Sequence, residues 1–334
     1  MISIIIANYN GVHFLRDCLD SLKSQSYQDI EILVVDNGSK DESVEFLKEH
    51  YPEVKIIQSG ENLGFAGANN LGFKKAKGEY ILFLNNDTKV DSFCLERLFN
   101  RISSKKNEIG VVFGKLLCMD EPKRFDAIGS YFTDYGFLYH IGFREIDRGQ
   151  YDNLKYIFSP KGVCFLMPKE LLLDIGVFDE DYFSYFEESD LFWRVWLSGK
   201  TIEFVPDAIC YHKVGGTSTK LASSFIDYHS FKNRICTLIK NLELASLWRI
   251  LIVHLIFCLV ISFLYLCLLR FKNSFSILKA LIWNLINIKA TLKKRELIQQ
   301  DVRVLDDRKL FRKIKRDIPL SQFIQFTKVY LKRW

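Results

Sequence analysis

The sequence of 334 residues predicts an α/β protein built on a doubly wound, mostly parallel sheet. Over the first 115 residues, short apolar runs alternate with segments of helical periodicity, which is typical of βαβ units. Several of these runs are continuously apolar, which indicates strands buried on both faces. A polar or glycine-containing segment follows each of the first four runs, where the carboxyl ends of parallel strands would meet.

Four strands and four helices are predicted in this half, in strict alternation. The strands cover residues 3–7, 31–35, 54–58 and 80–84, and the helices cover residues 13–25, 41–49, 65–77 and 92–103. The first of these helices places its apolar side chains on one face. Gly64 precedes the third helix and marks its start.

Between residues 111 and 206 the pattern changes, because glycines and aromatic residues interrupt it. Short strands are predicted within 129–143, 156–158 and 163–167, one helix after Pro168, and another over 190–197. A strand-like run at 202–205 and a short connector precede His212. We expect this half to form a layer over the sheet edge, where a substrate could lie.

The C-terminal region, from about residue 223, is predicted to be helical and partly hydrophobic. Residues 250–269 carry no formal charge, and 20 such residues are long enough to cross a bilayer. Basic residues flank both ends, so the positive-inside rule would place both ends in the cytoplasm. A helical hairpin with 277–288 as its return arm, an interfacial helix and a buried core helix all stay open. We favour membrane attachment.

Charge and cysteine usage restrict the function classes. The net charge is +6, but residues 271–334 carry +11, which leaves −5 for residues 1–270. An acidic body argues against a nucleic-acid-binding core, and the basic tail suits an anionic surface. The eight cysteines form no CxxC pair and predict buried free thiols in a reducing compartment. Residues 1–6 lack the basic region and long apolar stretch of a signal peptide.

The most informative stretch is YILFLNNDTKV (80–90), an apolar run that breaks off into Asn85-Asn86-Asp87. Ligands of open α/β sheets bind at the carboxyl ends of strands. A carboxylate there could hold a phosphate-bound divalent metal, since hard cations prefer oxygen ligands. The alternative is a polar cap that opens the next helix.

Three further positions carry candidate chemistry. Asp36 ends the apolar run ILVVD, and its carboxylate could accept the imide N–H of uracil or thymine; an N-cap role, with Ser39 nearby, is the alternative. The loop 60–72 brings four glycines together with Asn62, and the helix start near Gly64 offers N–H groups to an anion. This loop matches neither the P-loop pattern nor GxGxxG. His212 precedes a Gly-Gly-Thr-Ser run, where a structural histidine is the alternative.

Six segments of the chain together resemble the family-2 inverting glycosyltransferases of the GT-A fold, especially the bacterial branch that builds surface polysaccharides. They are SIIIANYNG (3–11), ILVVDNGSKDES (32–43), GENLGFAGANNLG (60–72), YILFLNNDTKV (80–90), GVFDEDYFSYFEESDLFWRVWLSG (176–199) and CYHKVGGTS (210–218). They follow the family's order and span about two thirds of the chain. Each segment alone would be weak evidence, but the six together are specific.

The resemblance implies a nucleotide-sugar site. Asn85-Asn86-Asp87 is similar to the family's D-x-D, with Asn85 in place of the first acid, so Asp87 would bind Mg²⁺ or Mn²⁺ and His212 would be a second ligand. The residues implied to contact the sugar donor are Asn8, Asp36, Asn37, Asn62, Gly64, Asn85 and Asn86.

The resemblance also implies the general base. Glu187-Glu188-Ser189-Asp190 is similar to the family's E-D-x-D, whose second acid takes the proton from the acceptor. By register that acid is Glu188, one methylene longer than the usual aspartate. Asp190 is the second candidate, with N-capping as its structural alternative. An i,i+4 ion pair with Asp190 is the simplest interpretation of Arg194.

The implied reaction is inverting transfer of a sugar from a UDP- or dTDP-sugar to a hydroxyl of a glycan. The resemblance to rhamnosyltransferases favours dTDP-rhamnose as a sugar donor. The acceptor would be a glycan, plausibly linked to polyprenyl diphosphate, at the cytoplasmic face of the membrane, with no role for nucleic acid. Residues 1–222 would form the GT-A domain (1–115 for the nucleotide sugar, 116–222 for the acceptor) and 223–334 the membrane-association region.

Two alternative functions have a concrete basis in the sequence. A catalytically degenerate membrane scaffold is kept open by the departures at Asn85 and Glu188. A sugar-1-phosphate nucleotidyltransferase would share the architecture, but it should carry a glycine-rich loop with Arg and Lys after the first strand. The chain has Asn8-Tyr9-Asn10-Gly11 there instead.

Overall fold

The computed structural model describes residues 1–213, 222–319 and 321. The last five residues of the segment CYHKVGGTS, at 214–218, lie outside the described residues.

Eleven strands are present in the described part of the chain. They are β1 (Ile2–Asn8), β2 (Ile30–Asp36), β3 (Lys55–Gln58), β4 (Tyr80–Asn85), β5 (Thr88–Val90), β6 (Ile109–Cys118), β7 (Gly129–Phe132), β8 (Leu138–Ile141), β9 (Ser159–Pro160), β10 (Cys164–Pro168) and β11 (Thr201–His212). Eight of them form the main sheet, in the order β3-β2-β1-β4-β10-β6-β11-β5, and β8-β7-β9 form a second, smaller sheet.

The main sheet confirms the predicted doubly wound, mostly parallel α/β architecture. β3, β2, β1 and β4 run parallel to one another, and β11 runs parallel to β6. Only β10 and β5 are antiparallel to their neighbours. Because β10 is antiparallel to both β4 and β6, those two strands, and with them β11, point in the same direction.

The described residues form eleven α-helices. They are α1 (Val12–Lys23), α2 (Ser43–His50), α3 (Gly64–Phe73), α4 (Cys94–Ser104), α5 (Lys169–Ile175), α6 (Glu187–Leu197), α7 (Ser223–Asn241), α8 (Leu244–Cys267), α9 (Phe271–Ile286), α10 (Ile288–Leu297) and α11 (Asp307–Ile314). The π-helical turn Ile298–Val302 follows α10. The region proposed to begin at residue 223 thus starts with α7.

The core lies on both faces of the main sheet. Ile4 and Ile6 of β1 belong to one apolar cluster, together with side chains of α1 and α4. Ile5 points to the other face, where Trp193 and Trp196 of α6 are completely buried. Successive residues of a strand face opposite sides, so a strand covered on both sides needs the continuous apolar run that predicted it.

Three predicted boundaries are wrong. The strand predicted at 156–158 forms at Ser159–Pro160. The strand at 202–205 continues through the expected connector up to His212, with an irregularity between Val205 and Ile209. α6 begins at Glu187 instead of residue 190, which brings Glu187 and Glu188 into its first turn.

One described helix, Leu244–Cys267, is long and apolar enough to cross a membrane. The helices over Phe271–Ile286 and Ile288–Val302 pass the same test only as a pair, with a bend of 65° between them. Seven of the eight cysteines are buried as free thiols, and Cys267, at the end of α8, is exposed.

Candidate active site

The predicted site residues meet at one edge of the main sheet. The strand ends are Asn8 in β1, Asp36 in β2, Asn85 in β4 and His212 in β11. These four strands point in the same direction, so their carboxyl ends share an edge. This is the edge at which open α/β sheets bind their ligands.

Asp87 and His212 are neighbours because β5 pairs with β11. His212 pairs with Thr88 in this antiparallel ladder, and the backbone N–H of Lys213 donates to the carbonyl of Asp87 at 2.9 Å. The His212 Nε2 atom lies 3.2 Å from the Asp87 Oδ1 atom, and both side chains are buried. The two predicted metal ligands are therefore brought together.

A third side chain, Asp126, contacts the other ring nitrogen of His212. The Nδ1 atom lies 2.7 Å from the Asp126 Oδ2 atom, and Asp126 has no exposed surface. Burial would raise the pKa of Asp126, but the hydrogen bond with His212 and the charge of Lys161 outweigh it and lower the pKa to about 2. Burial lowers the pKa of His212, yet its contacts with Asp126 and Asp87 outweigh it and raise that pKa above 6.5.

Lys161 connects this cluster to Glu188. Its ammonium group donates to Asp126, and its positive charge also acts on the Glu188 carboxylate. A Cβ atom on the neighbouring Gly162 would lie 2.9 Å from the Glu188 Cγ atom, so only glycine leaves room for this acid. The carbonyl of Val163 accepts the N–H of Asn85 at 2.9 Å. The three residues 161–163 thus bring Glu188 to the end of β4.

Glu188 sits in an environment that suits a base. Its side chain is half-buried in the first turn of α6. Burial raises its pKa above the ordinary value of 4.5, although backbone N–H groups and Lys161 oppose the shift. The adjacent Glu187 is buried, and burial together with the negative charge of Glu188 holds its pKa well above 4.5. A carboxylate with a raised pKa is better matched to proton abstraction near neutral pH.

The turn that precedes α6 has a strained backbone and is held by hydrogen bonds from α7. Phe183, Tyr185 and Phe186 all have positive φ, between 62° and 74°, which is costly for large side chains. Asn233 of α7 is completely buried and donates its amide N–H groups to the carbonyls of Tyr182, Ser184 and Tyr185. The C-terminal helices therefore hold the segment that positions Glu188.

Asp190 lies outside this cluster, and its candidate catalytic role is not supported. Its carboxylate has no exposed surface, and it contacts Lys240 at 3.0 Å, Arg194 at 3.3 Å and the amide of Asn241 at 2.8 Å. The ion pair expected with Arg194 is confirmed. The N-cap alternative for Asp190 is wrong, because α6 begins three residues earlier and Phe186 occupies the N-cap position. Asp190 joins α6 to α7.

The nucleoside side of the edge combines one unpaired acid with a hydrogen-bonded amide pair. Asp36 is buried, and its Oδ1 atom has no hydrogen-bond partner among the described residues. The Asn86 amide donates to the Asn8 Oδ1 atom at 2.7 Å. A Cβ atom on Gly11 would lie 2.2 Å from the Asn86 Nδ2 atom, so a larger residue at this position would displace the amide pair. Asn8 therefore orients Asn86, and Asp36 is left as an acceptor.

Asn37, Asn62 and Gly64 organise the loop before α3. The Asn37 amide donates to the Asn62 Oδ1 atom and to the Gly64 carbonyl, both at 3.1 Å. The Asn62 Oδ1 atom also accepts the N–H of Gly64 at 2.9 Å, and the Phe183 carbonyl accepts the N–H of Ala66 at 3.2 Å. The expectation of free N–H groups at this helix start is wrong for Gly64 and Ala66, because both already have acceptors.

Comparison with known proteins identifies the family. The model of the family described as "Glycosyl transferase family 2" matches residues 3–172, about half of the chain. The chain belongs to glycosyl transferase family 2.

Two sequence relatives and one solved structure are similar to this chain. The chain is 28% identical over 220 residues to glycosyltransferase GlyG of Streptococcus pneumoniae, covering 64% of this chain and 70% of GlyG. It is 41% identical over 121 residues to a poly(ribitol-phosphate) beta-glucosyltransferase of Bacillus spizizenii, covering 34% of this chain but only 19% of that enzyme. The structure of GalNAc-T7 with UDP, GalNAc and Mn²⁺ superposes with a TM-score of 0.55 at 17% identity, covering 72% of this chain and 48% of GalNAc-T7.

This family-2 transferase has side chains that fit a divalent cation. Asp87 Oδ1 is buried, makes no geometrically sound hydrogen bond among the described residues, and faces His212 Nε2. Asp126 can accept the Nδ1 proton of a neutral His212, which would leave the Nε2 lone pair for a metal. No third His, Cys, Asp or Glu side chain within the described ranges completes a protein metal site. Two protein ligands fit a cation whose other ligands come from a bound diphosphate.

Three residues of this family-2 site were missed by the sequence analysis. Asp126 and Asn233 carry no local motif, since one lies in a loop and the other inside a helix. Lys161 had a usable signal, because it precedes the apolar run of β10. That strand is antiparallel to β4, so its beginning lies at the edge where the parallel strands end.

Proposed function

We propose that this family-2 protein is an inverting glycosyltransferase that moves a sugar from a UDP- or dTDP-sugar to a hydroxyl of a lipid-linked glycan. dTDP-rhamnose is one candidate sugar donor. One observation carries the proposal: Glu188 lies against Gly162, and the adjacent Lys161 donates to Asp126 in the Asp126–His212–Asp87 chain of contacts at one sheet edge. A candidate base and a candidate cation-binding pair therefore lie at the same sheet edge, as a single displacement requires.

Asp36 would recognise the base of the nucleotide. Its buried Oδ1 atom has no hydrogen-bond partner within the described part of the chain, and a buried acceptor of this kind is costly unless a ligand supplies a donor. The imide N–H of uracil or thymine is such a donor. Asn8 would hold Asn86 in place, Asn37 and Asn62 would shape the loop that ends at Gly64, and Asn85 would contact the ribose.

Asp87 and His212 would hold Mg²⁺ or Mn²⁺ against the diphosphate of the sugar donor. A bound cation of this kind supplies Lewis-acid stabilisation of the negative charge on the leaving nucleoside diphosphate. Asp126 would keep the His212 ring in the orientation that points Nε2 at the site. GalNAc-T7, which shares the fold, was solved with UDP and Mn²⁺, and this supports the assignment.

Glu188 would act as the general base. The acceptor hydroxyl oxygen attacks the anomeric carbon from the face opposite the nucleotide, and the new C–O bond forms as the bond to the phosphate oxygen breaks. Glu188 takes the hydroxyl proton, so the configuration inverts without a covalent enzyme intermediate. Lys161 would prevent the raised pKa of Glu188 from rising so far that the acid stays protonated.

The acceptor would be a polyprenyl-diphosphate-linked glycan at the cytoplasmic face of the membrane, used for a cell-surface polymer. The Bacillus spizizenii relative is named for a poly(ribitol-phosphate) acceptor, which supports a surface polymer. The apolar helix α8 supports membrane attachment. Residues 1–222 would then form the catalytic domain, with 1–115 for the sugar donor and 116–222 for the acceptor, and residues 223–334 the attachment region.

Hydrolysis of the sugar donor in the absence of acceptor tests this proposal. The purified protein is incubated with a panel of UDP- and dTDP-sugars and Mn²⁺, and released nucleoside diphosphate is measured. We expect slow hydrolysis of one sugar donor, and its loss in Asp87→Ala. A thermal-shift panel of the same compounds identifies the sugar donor independently, because a ligand of the native state raises the melting temperature.

The matched control is Asp17→Ala, which removes an exposed aspartate of α1 and should leave hydrolysis unchanged. Hydrolysis that persists unchanged in Asp87→Ala would contradict the metal assignment. No thermal shift with any nucleotide sugar would contradict the proposed enzyme class and favour the scaffold alternative.

A further inference from the structure

The C-terminal helices carry most of the exposed apolar surface of the described residues. Of the 26 large apolar side chains that are exposed in the described part of the chain, 18 lie between residues 244 and 297. We call this set the apolar platform. Its members are Leu244, Trp248, Ile252, Ile256, Leu259, Val260, Phe263, Leu264, Leu266, Leu268, Leu269, Phe271, Phe275, Ile282, Leu285, Ile286, Leu292 and Leu297. A concentration of this size marks a surface that another apolar phase covers.

α8 has one buried side and one exposed side along its whole length. Its buried residues recur at helical spacing from the first turn to the last: Leu247, Ile250, His254, Cys258, Ile261, Ser262 and Tyr265. The exposed residues Trp248, Ile252, Ile256, Leu259 and Phe263 lie between them at the same spacing. Residues three and four apart share a face, so protein covers one side of all 24 residues.

The middle of α8 is fixed to the catalytic half of the protein. His254 is completely buried, and its Nδ1 atom lies 2.9 Å from the carbonyl oxygen of Tyr135. The ring of Phe137 packs against His254 at 4.5 Å and against Phe257 at 6.3 Å. Tyr135 and Phe137 belong to the turn between β7 and β8. A helix that crossed a bilayer would place this turn near the bilayer centre, where irregular backbone exposed to lipid is not tolerated.

α9 returns along α8 and adds a second outward apolar stripe. The hydroxyl groups of Ser262 and Ser274 are 2.8 Å apart and join the two helices. Ile277, Ala280 and Asn284 of α9 are buried, and the Asn284 amide donates to the Lys232 carbonyl of α7 at 3.0 Å. The opposite side of α9 belongs to the platform, so neither helix needs to leave the protein surface to bury its apolar side chains in lipid.

The charge of the platform selects its partner. Residues 244–297 contain eight Lys and Arg against the single acid Glu296, a net charge of +7. Lys272, Lys289 and Lys293 are exposed. Two copies of this surface would repel each other, whereas an anionic leaflet attracts it, at about 1 kcal/mol per basic residue near the surface.

We propose that α8, α9 and α10 lie in the plane of the membrane and bury the apolar platform in a single anionic leaflet, without crossing the bilayer. This rests on the membrane attachment in the proposed function and adds its geometry. α7 lies between α9 and the strained turn before Glu188, which sets the base about one helix diameter, roughly 10 Å, behind the platform. A hydroxyl of a glycan held on a lipid in the same leaflet can reach that distance.

Vesicle flotation tests the binding. The full chain is mixed with phosphatidylcholine vesicles with and without phosphatidylglycerol. We expect flotation with the anionic vesicles and a reduction of at least about tenfold in the double variant Ile256→Glu/Phe263→Glu, since charges are costly in the acyl region. Leu173→Glu is the matched control, because Leu173 is 66% exposed, Phe263 is 63% exposed, and Leu173 lies outside the platform. Thermal melting checks that both variants are folded.

Depth measurement separates in-plane from spanning helices. An environment-sensitive fluorophore is attached to the exposed Cys267, or to cysteines in Trp248→Cys and Ile256→Cys made with Cys267→Ser, and quenched with lipids brominated at different depths. An in-plane α8 gives three similar, shallow depths of about 5–10 Å. A spanning α8 places position 256 about 12 Å deeper than position 248, from the rise of 1.5 Å per residue.

The outcomes of these two experiments test membrane attachment and helix orientation separately. Flotation with equal depths supports the proposal, and a deep position 256 overturns its geometry while leaving attachment intact. No flotation, or a dimer in solution that the Ile256→Glu/Phe263→Glu variant dissociates, overturns it altogether. None of these readouts depends on catalysis, so sugar-donor hydrolysis without membrane binding would leave the transferase proposal standing.

Discussion

Two acids two residues apart on α6 occupy opposite environments. Glu188 is half-buried beside Gly162, and burial raises its pKa. Asp190 has no exposed surface, and the charges of Lys240 and Arg194 outweigh burial and lower its pKa. The raised pKa of the first acid suits a general base. The second is held as a carboxylate and has no capacity left for a substrate.

The neighbourhood of Asp190 extends this contrast. Lys240 of α7 contacts both Asp190 and Asp179, the latter at 2.6 Å, and Lys294 of α10 also pairs with Asp179. At the sheet edge, by contrast, Asp36 and Asp87 each keep a buried oxygen without a hydrogen-bond partner among the described residues. The paired acids Asp179 and Asp190 join the C-terminal helices to the rest of the protein, whereas Asp36 and Asp87 lie at the candidate site.

The largest expected effect comes from Glu188→Gln. The amide keeps the size of the side chain but cannot take a proton, so transfer should fall by about 10²–10⁴-fold. Stability should be unchanged or higher, because a buried acid with a raised pKa is replaced by a neutral group. Nucleotide-sugar binding, measured by thermal shift, should persist. Glycosyl transfer to the acceptor is the measurement, and transfer at the wild-type rate would remove Glu188 from the mechanism.

Asp190→Asn should lower the stability of the fold, in contrast to Glu188→Gln. The substitution leaves Lys240 with Asp179 but removes the acid that also contacts Arg194. Breaking a buried ion pair costs about 3–5 kcal/mol. Urea unfolding should show this loss at neutral pH. The carboxylate has a lowered pKa in the folded state, so its contribution is present above its ordinary pKa of 3.8 and is lost as the pH falls through the folded-state value. The gap between wild type and variant should therefore narrow in acid. Lost transfer with unchanged stability would mean that Asp190, rather than Glu188, is the base.

The sequence predicted the site residues better than it predicted the ion-pair partners of Asp190. Asp36 and Asp87 were predicted because each follows an apolar run, and parallel topology brings the ends of such runs to one edge. His212 was predicted from the resemblance to the family. Register with the family motif selected Glu188 over Asp190. The partners of Asp190 could not be predicted, because Lys240 and Asn241 lie about 50 residues away in a helix whose packing no local pattern specifies.

The start of α6 shows why the helix boundary predicted from the sequence is wrong. Phe186 precedes the helix in a left-handed conformation with φ of 74°, and no side chain caps the helix. Local signals therefore favoured Asp190 as the start. The conformation of residues 183–186 depends on Asn233, about 50 residues later in the chain, and such tertiary support leaves no trace in the local sequence.

Asn233→Ala should have a smaller effect on the site. It removes the amide that donates to three carbonyls of the strained turn, so we expect a loss of about 1–3 kcal/mol in stability and a lower kcat with little change in the KM for the nucleotide sugar. Asn284→Ala is the matched control, because Asn284 is also buried and donates to the carbonyls of Lys232 and Ala280. If both variants lower kcat equally, the effect is general loosening and Asn233 does not position the base.

The smallest expected effect comes from substitution of Lys161, which lies between the predicted metal ligands and the predicted base. Its charge lowers the pKa of Glu188 against the effect of burial, so Lys161→Met should let that pKa rise further. Because the base acts as a carboxylate, transfer decreases as the pH falls through its pKa. The acidic limb of the kcat/KM profile should therefore move to higher pH in this variant. Lys161→Arg keeps the charge and should leave the limb where it is. If the acidic limb of the pH profile does not move in Lys161→Met, the charge of Lys161 acts on Asp126 and has no effect on Glu188. The metal-binding residues and the base would then titrate independently.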